Sequence, residues 1–121
     1  MSGNEKVFLD ESINAVRIVF DESETPDTIG ANLDRCEALL ESLEKRFILS
    51  DLSQQKGQLD KGCRTVLQER GQKIKFDKHA FVGANATARM VGKIIMAVMG
   101  QSHRTGFFKT EAEAIAWFNK D

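Results

Sequence analysis

The sequence predicts an α/β fold: a mostly parallel, mixed sheet of about five strands flanked by helices, in the order ββαβαβαβα, as one domain over residues 1–121. Three observations carry this prediction. Short β-favouring runs alternate with segments of helical period, a pattern that closes as parallel strands joined by right-handed crossovers. The first two runs, Lys6-Val7-Phe8-Leu9 and Ala15-Val16-Arg17-Ile18-Val19-Phe20, flank the turn-forming Asp10 to Asn14, which makes them a hairpin and the antiparallel edge. Finally, the stretch His79 to Gly100 runs from an apolar strand, Phe81-Val82-Gly83, through Ala84-Asn85 into a long apolar helix beginning at Ala86, and the other elements pack on it. With 121 residues, 41% apolar and 29% charged, the chain can bury roughly two thirds of its unfolded surface as a single domain, without a disulfide or metal.

Taken in order, the hairpin places Val16, Ile18 and Phe20 on one face. Thr25-Pro26, with the only proline of the chain, pairs a capping hydroxyl with proline at the first helical position and starts a helix. Ile29, Leu33, Cys36, Leu39, Leu40 and Leu43 keep its period to about Lys45. Phe47-Ile48-Leu49-Ser50-Asp51-Leu52 is a continuous apolar run ending in a carboxylate, the pattern of a central strand buried on both sides. After the Gly57 loop, Asp60 caps a helix that turns Cys63, Val66 and Leu67 inward. Gly71 stops it, leaving Lys73-Ile74-Lys75-Phe76 as a basic loop or short extension. Thr105-Gly106-Phe107-Phe108 is the last strand, and Thr110-Glu111-Ala112-Glu113 is a capping box opening a final helix with Ala114, Ile115, Trp117 and Phe118. One core is expected, built from Val16, Ile18, Phe20, Ile48, Leu49, Phe81, Val82 and Phe107 in strands and Leu33, Leu40, Val91, Ile95, Val98, Ile115 and Trp117 in helices.

The helix from Ala86 is apolar nearly all round. Ala88, Val91, Ile94, Ile95 and Val98 form the face expected to cover the sheet. Asn85, Arg89, Gly92, Met96 and Met99 follow at three- and four-residue steps as an outward stripe that starts polar and ends in thioethers. Such a stripe is either buried under a neighbouring helix or a second subunit, or it is a partner or ligand surface.

No complete catalytic constellation is present. A hydrolase triad would need a His, a carboxylate and a Ser or Cys brought together, whereas His79 precedes a strand and His103 lies in a loop. Cys36 and Cys63 have no Cys-x-x-Cys spacing or His cluster, so they read as reduced, unbonded packing residues and not as zinc ligands. Cys63, between Lys61 and Arg64 near a helix start, is open to a second reading as a thiolate. The net charge of −1 hides an asymmetry: residues 1–30 are acidic, whereas 56–109 carry eleven Lys or Arg against Asp60, Glu69 and Asp77. That bias either attracts phosphates and acidic partners or reflects solvated faces of two helices and a loop. No apolar run approaches the ~20 residues of a membrane span, and Met1-Ser2-Gly3-Asn4-Glu5 has no secretory pattern, so a cytoplasmic protein is expected.

The order of elements, with Asp51-Leu52-Ser53 closing the middle strand, Phe81-Val82-Gly83-Ala84 before the long helix, and the closing Phe107-Phe108-Lys109-Thr110-Glu111-Ala112-Glu113-Ala114-Ile115-Ala116-Trp117-Phe118, resembles the SpoIIAA-like branch of the STAS (anti-sigma-factor antagonist-like) superfamily over nearly the whole chain. The resemblance implies a four- or five-stranded sheet flanked by helices, and regulation or ligand sensing in place of catalysis. In the antagonists of that superfamily a phosphorylatable serine opens the helix after the Asp-Leu-Ser strand end. Here the matching stretch is Gln58-Leu59-Asp60-Lys61-Gly62-Cys63, without a hydroxyl, and Ser53 and Thr65 are the nearest candidates. Ser53 reads first as a turn residue bonding its own backbone, and only second as a phosphosite.

Two functions follow as expectations. The first is a non-enzymatic regulatory domain docking a protein partner or its own copy through Asp51, Ser53, Asp60, Lys61, Asn85, Arg89, Met96 and Met99. The second is a binding module for an anionic or lipid-like ligand at the carboxyl ends of the strands, near Ser53, Lys61, Asn85 and Arg89. No cofactor, metal or nucleic acid is expected, since phenylalanines such as Phe76 and Phe81 in strands of this kind are core and not stacking platforms.

Overall fold

A computed structural model describes residues 6–54, 60–86, 89, 90, 92, 93, 97, 100 and 102–120. Five strands, β1 (Val7–Asp10), β2 (Ala15–Asp21), β3 (Phe47–Gln54), β4 (Lys78–Val82) and β5 (Thr105–Phe108), form one sheet in sequence order. The β1–β2 pair is antiparallel and the other three pairings are parallel, as the hairpin and the strand–helix alternation require. Asn14, with φ 53°, closes the hairpin turn. Helices α1 (Pro26–Leu40), α2 (Lys61–Gly71) and α3 (Glu111–Phe118) complete the frame, and residues 86, 89, 90, 92, 93 and 97 between β4 and β5 are also helical.

The helix starts are where the sequence places them. Thr25 Oγ1 accepts from Thr28 N while Thr28 Oγ1 accepts from Thr25 N, so a threonine stands in for the glutamate of the usual capping box. Thr110 and Glu113 make the same reciprocal pair at α3. Asp60 caps α2 by accepting from Cys63 N at 2.8 Å. α1, however, ends at Leu40 and not near Lys45, because Ser42 and Leu43 turn back onto the carbonyls of Leu39 and Leu40.

The sheet has two cores, one on each face, where one was expected. Alternation along the strands sends Val7, Val16, Ile18, Phe20 and Ile48 to the face covered by α1 and α2, where they meet Ile29, Leu33, Cys36, Leu40 and Cys63. Ile74 and Phe76 join this core, so the Lys73–Phe76 stretch is an anchored strap with its lysines outward and not an exposed loop. Ala15, Phe47, Leu49, Ala80 and Val82 point the other way and meet Ala114 and Phe118 of α3. Ile48 and Leu49, adjacent in sequence, therefore serve opposite cores. Phe81 and Phe107 are half-buried and stack on each other with centroids 4.9 Å apart.

The eight-residue α3 is held at both ends by cations. Arg17 forks onto Glu111 at 2.9 and 3.0 Å and also reaches Asp10 at 3.0 Å, so it ties β1, β2 and the first turn of α3. Lys78 Nζ donates to the carbonyls of Trp117 and Lys120, both at 2.6 Å, where the helix dipole favours a positive charge. Its ammonium also lies over the Phe47 and Trp117 rings.

The helical segment after β4 is turned differently from the sequence expectation. Ala86, Met90, Lys93 and Ala97 are exposed, whereas Arg89 and Gly92 are half-buried. A Cβ on Gly92 would come within 2.9 Å of the Phe107 ring, so the glycine faces the sheet and not outward. Close packing on a phenylalanine requires a residue without a side chain, and this sets the phase that counting apolar residues misassigns. Ala88, Val91, Ile94, Ile95, Met96, Val98 and Met99, assigned by the sequence to the faces of this helix, lie outside the described residues, as does the Gly57 loop.

Candidate functional site

Strands β2, β3 and β4 run parallel, so the connections into α1, α2 and the 86–97 segment leave from one edge. At this carboxyl edge the chain repeats one local device. The Asp51 carboxylate accepts from Ser53 N at 2.9 Å and from Ser53 Oγ at 2.6 Å. Asp21 does the same with Ser23, and the device recurs at the opposite edge, where Asp10 holds Ser12 at the hairpin turn. Each Asp-x-Ser satisfies backbone groups where strand pairing ends. The Ser23 hydroxyl, with Lys6, holds the Asp21 carboxyl down to about 2.

Ser53 is exposed and sits against Gly83, the residue that leaves β4. Gly83 has φ 79°, and a Cβ there would lie 2.9 Å from both Ser53 N and Ser53 Cβ. Only glycine satisfies both the left-handed backbone and the close approach. The Asp51–Ser53 turn and Gly83 at the end of β4 are thus neighbours. Asn85 accepts from Arg89 N at 2.9 Å through its backbone carbonyl, opening the next helix. Arg89 is half-buried, and its Nε is buried without a hydrogen-bond partner among the described residues.

Asp60 and Lys61 lie at the start of α2, which packs against the start of α1: a Cβ on Gly62 would be 3.2 Å from Pro26 Cγ. The Cys63 backbone N–H bonded to Asp60 holds its carboxyl below the usual range. One of the free donors of this helix end, Cys63 N, is therefore already served by a carboxylate of the chain itself. Among the described residues, no hydrogen bond or ion pair joins Asp60 or Lys61 to Asp51 or Ser53. Met96 and Met99, the remaining residues of the predicted surface, lie outside the described residues.

The thiolate reading of Cys63 fails. Its side chain is fully buried, and burial followed by the nearby Asp60 pushes the thiol up. Burial pushes Cys36 up to about 12, and both cysteines are unbonded, as expected for packing residues.

Sequence reasoning missed two polar groups, one buried and one half-buried. Glu24 is 9% exposed, and its carboxylate accepts from Lys6 Nζ, Asp21 N and Thr28 Oγ1 at 3.2, 3.1 and 2.9 Å, a buried junction between β2 and α1. His79 lies within β4 and not before it, and its Nε2 is 2.7 Å from Ser50 Oγ on β3. The pair looks like two thirds of a triad, but Ser50 is fully buried, and the ring is stacked on Phe81 and edge-on to Phe76, so no substrate carbonyl can approach the hydroxyl. Burial pushes the imidazole down to about 3, which keeps it neutral and fit for one hydrogen bond inside the sheet. Finding this pair from sequence would have required the β3–β4 register, which sets His79 beside Ile48 and diagonal to Ser50.

No family model and no curated protein matches the chain. Among solved structures it is similar to an anti-sigma-factor antagonist (STAS) domain protein from Planctomyces limnophilus, at 14% identity and a TM-score of 0.64, over 94% of this chain and 97% of that one. The chain therefore has the STAS fold, as the resemblance in its sequence implies. None of the helices searched among the described residues is long and apolar enough to cross a membrane.

Proposed function

We propose that this chain is a non-enzymatic regulatory or interaction domain that docks a protein partner or a second copy of itself at the carboxyl edge of its sheet. The surface comprises Asp51, Ser53, Asp60, Lys61, Asn85 and Arg89 with the helical segment that follows, and Met96 and Met99 belong to the same proposal. One observation carries it: Met90, on that segment, is 60% exposed, the exposed large apolar side chain among the described residues. It stands in an outward row with Ala86, Lys93 and Ala97. A flexible thioether beside small residues and one cation suits an adaptable protein contact. The STAS fold, shared with a protein named as an anti-sigma-factor antagonist domain, supports the same class, and a cytoplasmic setting goes with it.

A second reading, an anionic or lipid-like ligand at this edge, is favoured by Arg89, whose buried Nε lacks an acceptor among the described residues. Sedimentation velocity and native mass of the untagged protein separate the two. Self-docking gives a concentration-dependent dimer that Met90→Glu weakens by about tenfold or more, ~1.4 kcal/mol, with the far-UV signal unchanged. A bound ligand gives a monomer carrying extra mass that Arg89→Ala removes. A bare monomer that captures no stoichiometric partner would discard both.

A further inference from the structure

The opposite edge of the sheet carries a second cluster. Arg46 immediately precedes β3, Lys75 to Asp77 precede β4, and Arg104 precedes β5. Because these three strands are parallel neighbours, three separate chain segments deliver Arg46, Lys75 and Arg104 to one place. Together with Glu44, Phe76 and Asp77 they line a cleft of about 490 Å³, a size that accommodates a small organic anion.

Hydrogen bonds tie the rims of this cleft, and among the described residues its cations form no ion pair. Arg46 N donates to Asp77 Oδ2 at 2.8 Å, and Asp77 N donates back to Arg46 O at 2.7 Å, so the two rims are tied through backbone and one carboxylate oxygen. Arg104 Nη1 donates to Phe76 O at 3.1 Å, and its guanidinium lies over the Phe76 ring, itself fixed in the core. Its Nε donates to His103 Nε2 at 3.1 Å, and the residue lines the cleft. The Arg46 guanidinium and the Lys75 ammonium make no hydrogen bond or ion pair among the described residues. The ion pairs found there belong to Lys6, Arg17 and Arg70. Two guanidinium groups and an ammonium around one cleft match the oxygens of a phosphoryl group better than a single carboxylate, since each guanidinium fork takes two oxygens. The two acidic liners, Asp77 and exposed Glu44, oppose an anion; the Asp77 carboxylate is held by Arg46 N, whereas no such bond holds Glu44 among the described residues, which makes Glu44 the one to replace.

We propose that this amino-edge cleft is an anion site that takes a phosphoryl group through Arg46, Lys75 and Arg104, separate from the carboxyl-edge docking surface. Titration of the ¹⁵N-labelled chain with inorganic phosphate, against chloride at equal ionic strength, is the test. Saturable shifts are expected at residues 44–46, 75–77 and 104. Arg46→Gln with Lys75→Gln, side chains that hold nothing else in place, should weaken binding by about tenfold or more. Glu44→Gln should tighten it, a gain that damage to the fold would not produce. Cosedimentation with phosphatidylcholine vesicles containing phosphatidic acid, lost in the double variant, would place the phosphoryl group on a lipid. Saturable phosphate shifts without cosedimentation would place it on a soluble monoester. Linear shifts scattered over the basic surface, shifts confined to 85–89, or shifts unaltered in the double variant would overturn the proposal.

Discussion

The two faces of the sheet are held in different ways. On one, α1 and α2 seal a broad core in which Ile18, Ile29 and Leu40 are almost wholly removed from water, and apolar burial dominates their attachment, with the Glu24 junction and Arg35 Nε on the Val7 carbonyl as polar additions. On the other, one eight-residue helix supplies Ala114 and Phe118, too little apolar surface to dock a helix of two turns firmly. Arg17 and Lys78 make up the difference, one at each end of α3. The contrast separates a core whose loss unfolds the domain from a helix whose loss uncovers one face of it.

The largest effect should follow truncation in the broad core. Leu40→Ala is expected to cost ~2 to 5 kcal/mol in denaturant melts, with all probes shifting together. Next in size is acidification, and it reaches the two faces in different windows. His79, on the α1–α2 side, has its pKa lowered to about 3, whereas an unfolded histidine titrates near 6.5. Between those values only the unfolded chain binds the proton. The stabilisation is thus complete above pH 6.5 and falls as pH drops toward 3, with a slope approaching ~1.4 kcal/mol per pH unit. His79→Phe should flatten that limb. On the α3 side, Ser12 and then Arg17 hold the Asp10 carboxyl below its ordinary value, so its contribution persists above about pH 4 and disappears only at lower pH. A single transition common to both faces in both proteins would contradict the separation.

Lys78→Met should have a smaller and more local effect, ~1.5 to 3 kcal/mol for charge-assisted bonds to two carbonyls. Hydrogen exchange should speed up at the amides of 114–118 while those of α1 keep their protection. Uniform loss of protection would show that α3 and the broad core open as one unit.

Much of the fold was legible in the sequence. Thr25-Pro26, Asp60 and Thr110-x-x-Glu113 announce their helices because caps act through bonds three residues away. The hairpin and the parallel order follow from alternation, and the closing helix carries its own pattern. Division into two cores was not legible: Ile48 and Leu49 are equally apolar, and only the pleat of a centrally placed β3 sends them apart. Nor was the phase of the helix after β4, since Gly92 marks the buried side by the absence of a side chain, a signal that counting apolar residues reads as neutral. Ser50–His79 and Glu24 depend on register and on contacts across many residues. At the candidate surface, the adjacency of Asp51–Ser53 to Gly83 was readable from strand ends, whereas the exposure of Met90 was not.

Since both cores are closed by elements of the chain itself, the outward apolar side chain at Met90 is left for a contact beyond it, and that contact is the central claim. A photoreactive benzophenone amino acid at position 90, with the same group at exposed Glu41 as a control, measures it directly in the producing cell. The account predicts one discrete adduct from position 90, of twice the chain's mass or with a single other protein, and none from position 41. No adduct from position 90, or the same adducts from both positions, would contradict it.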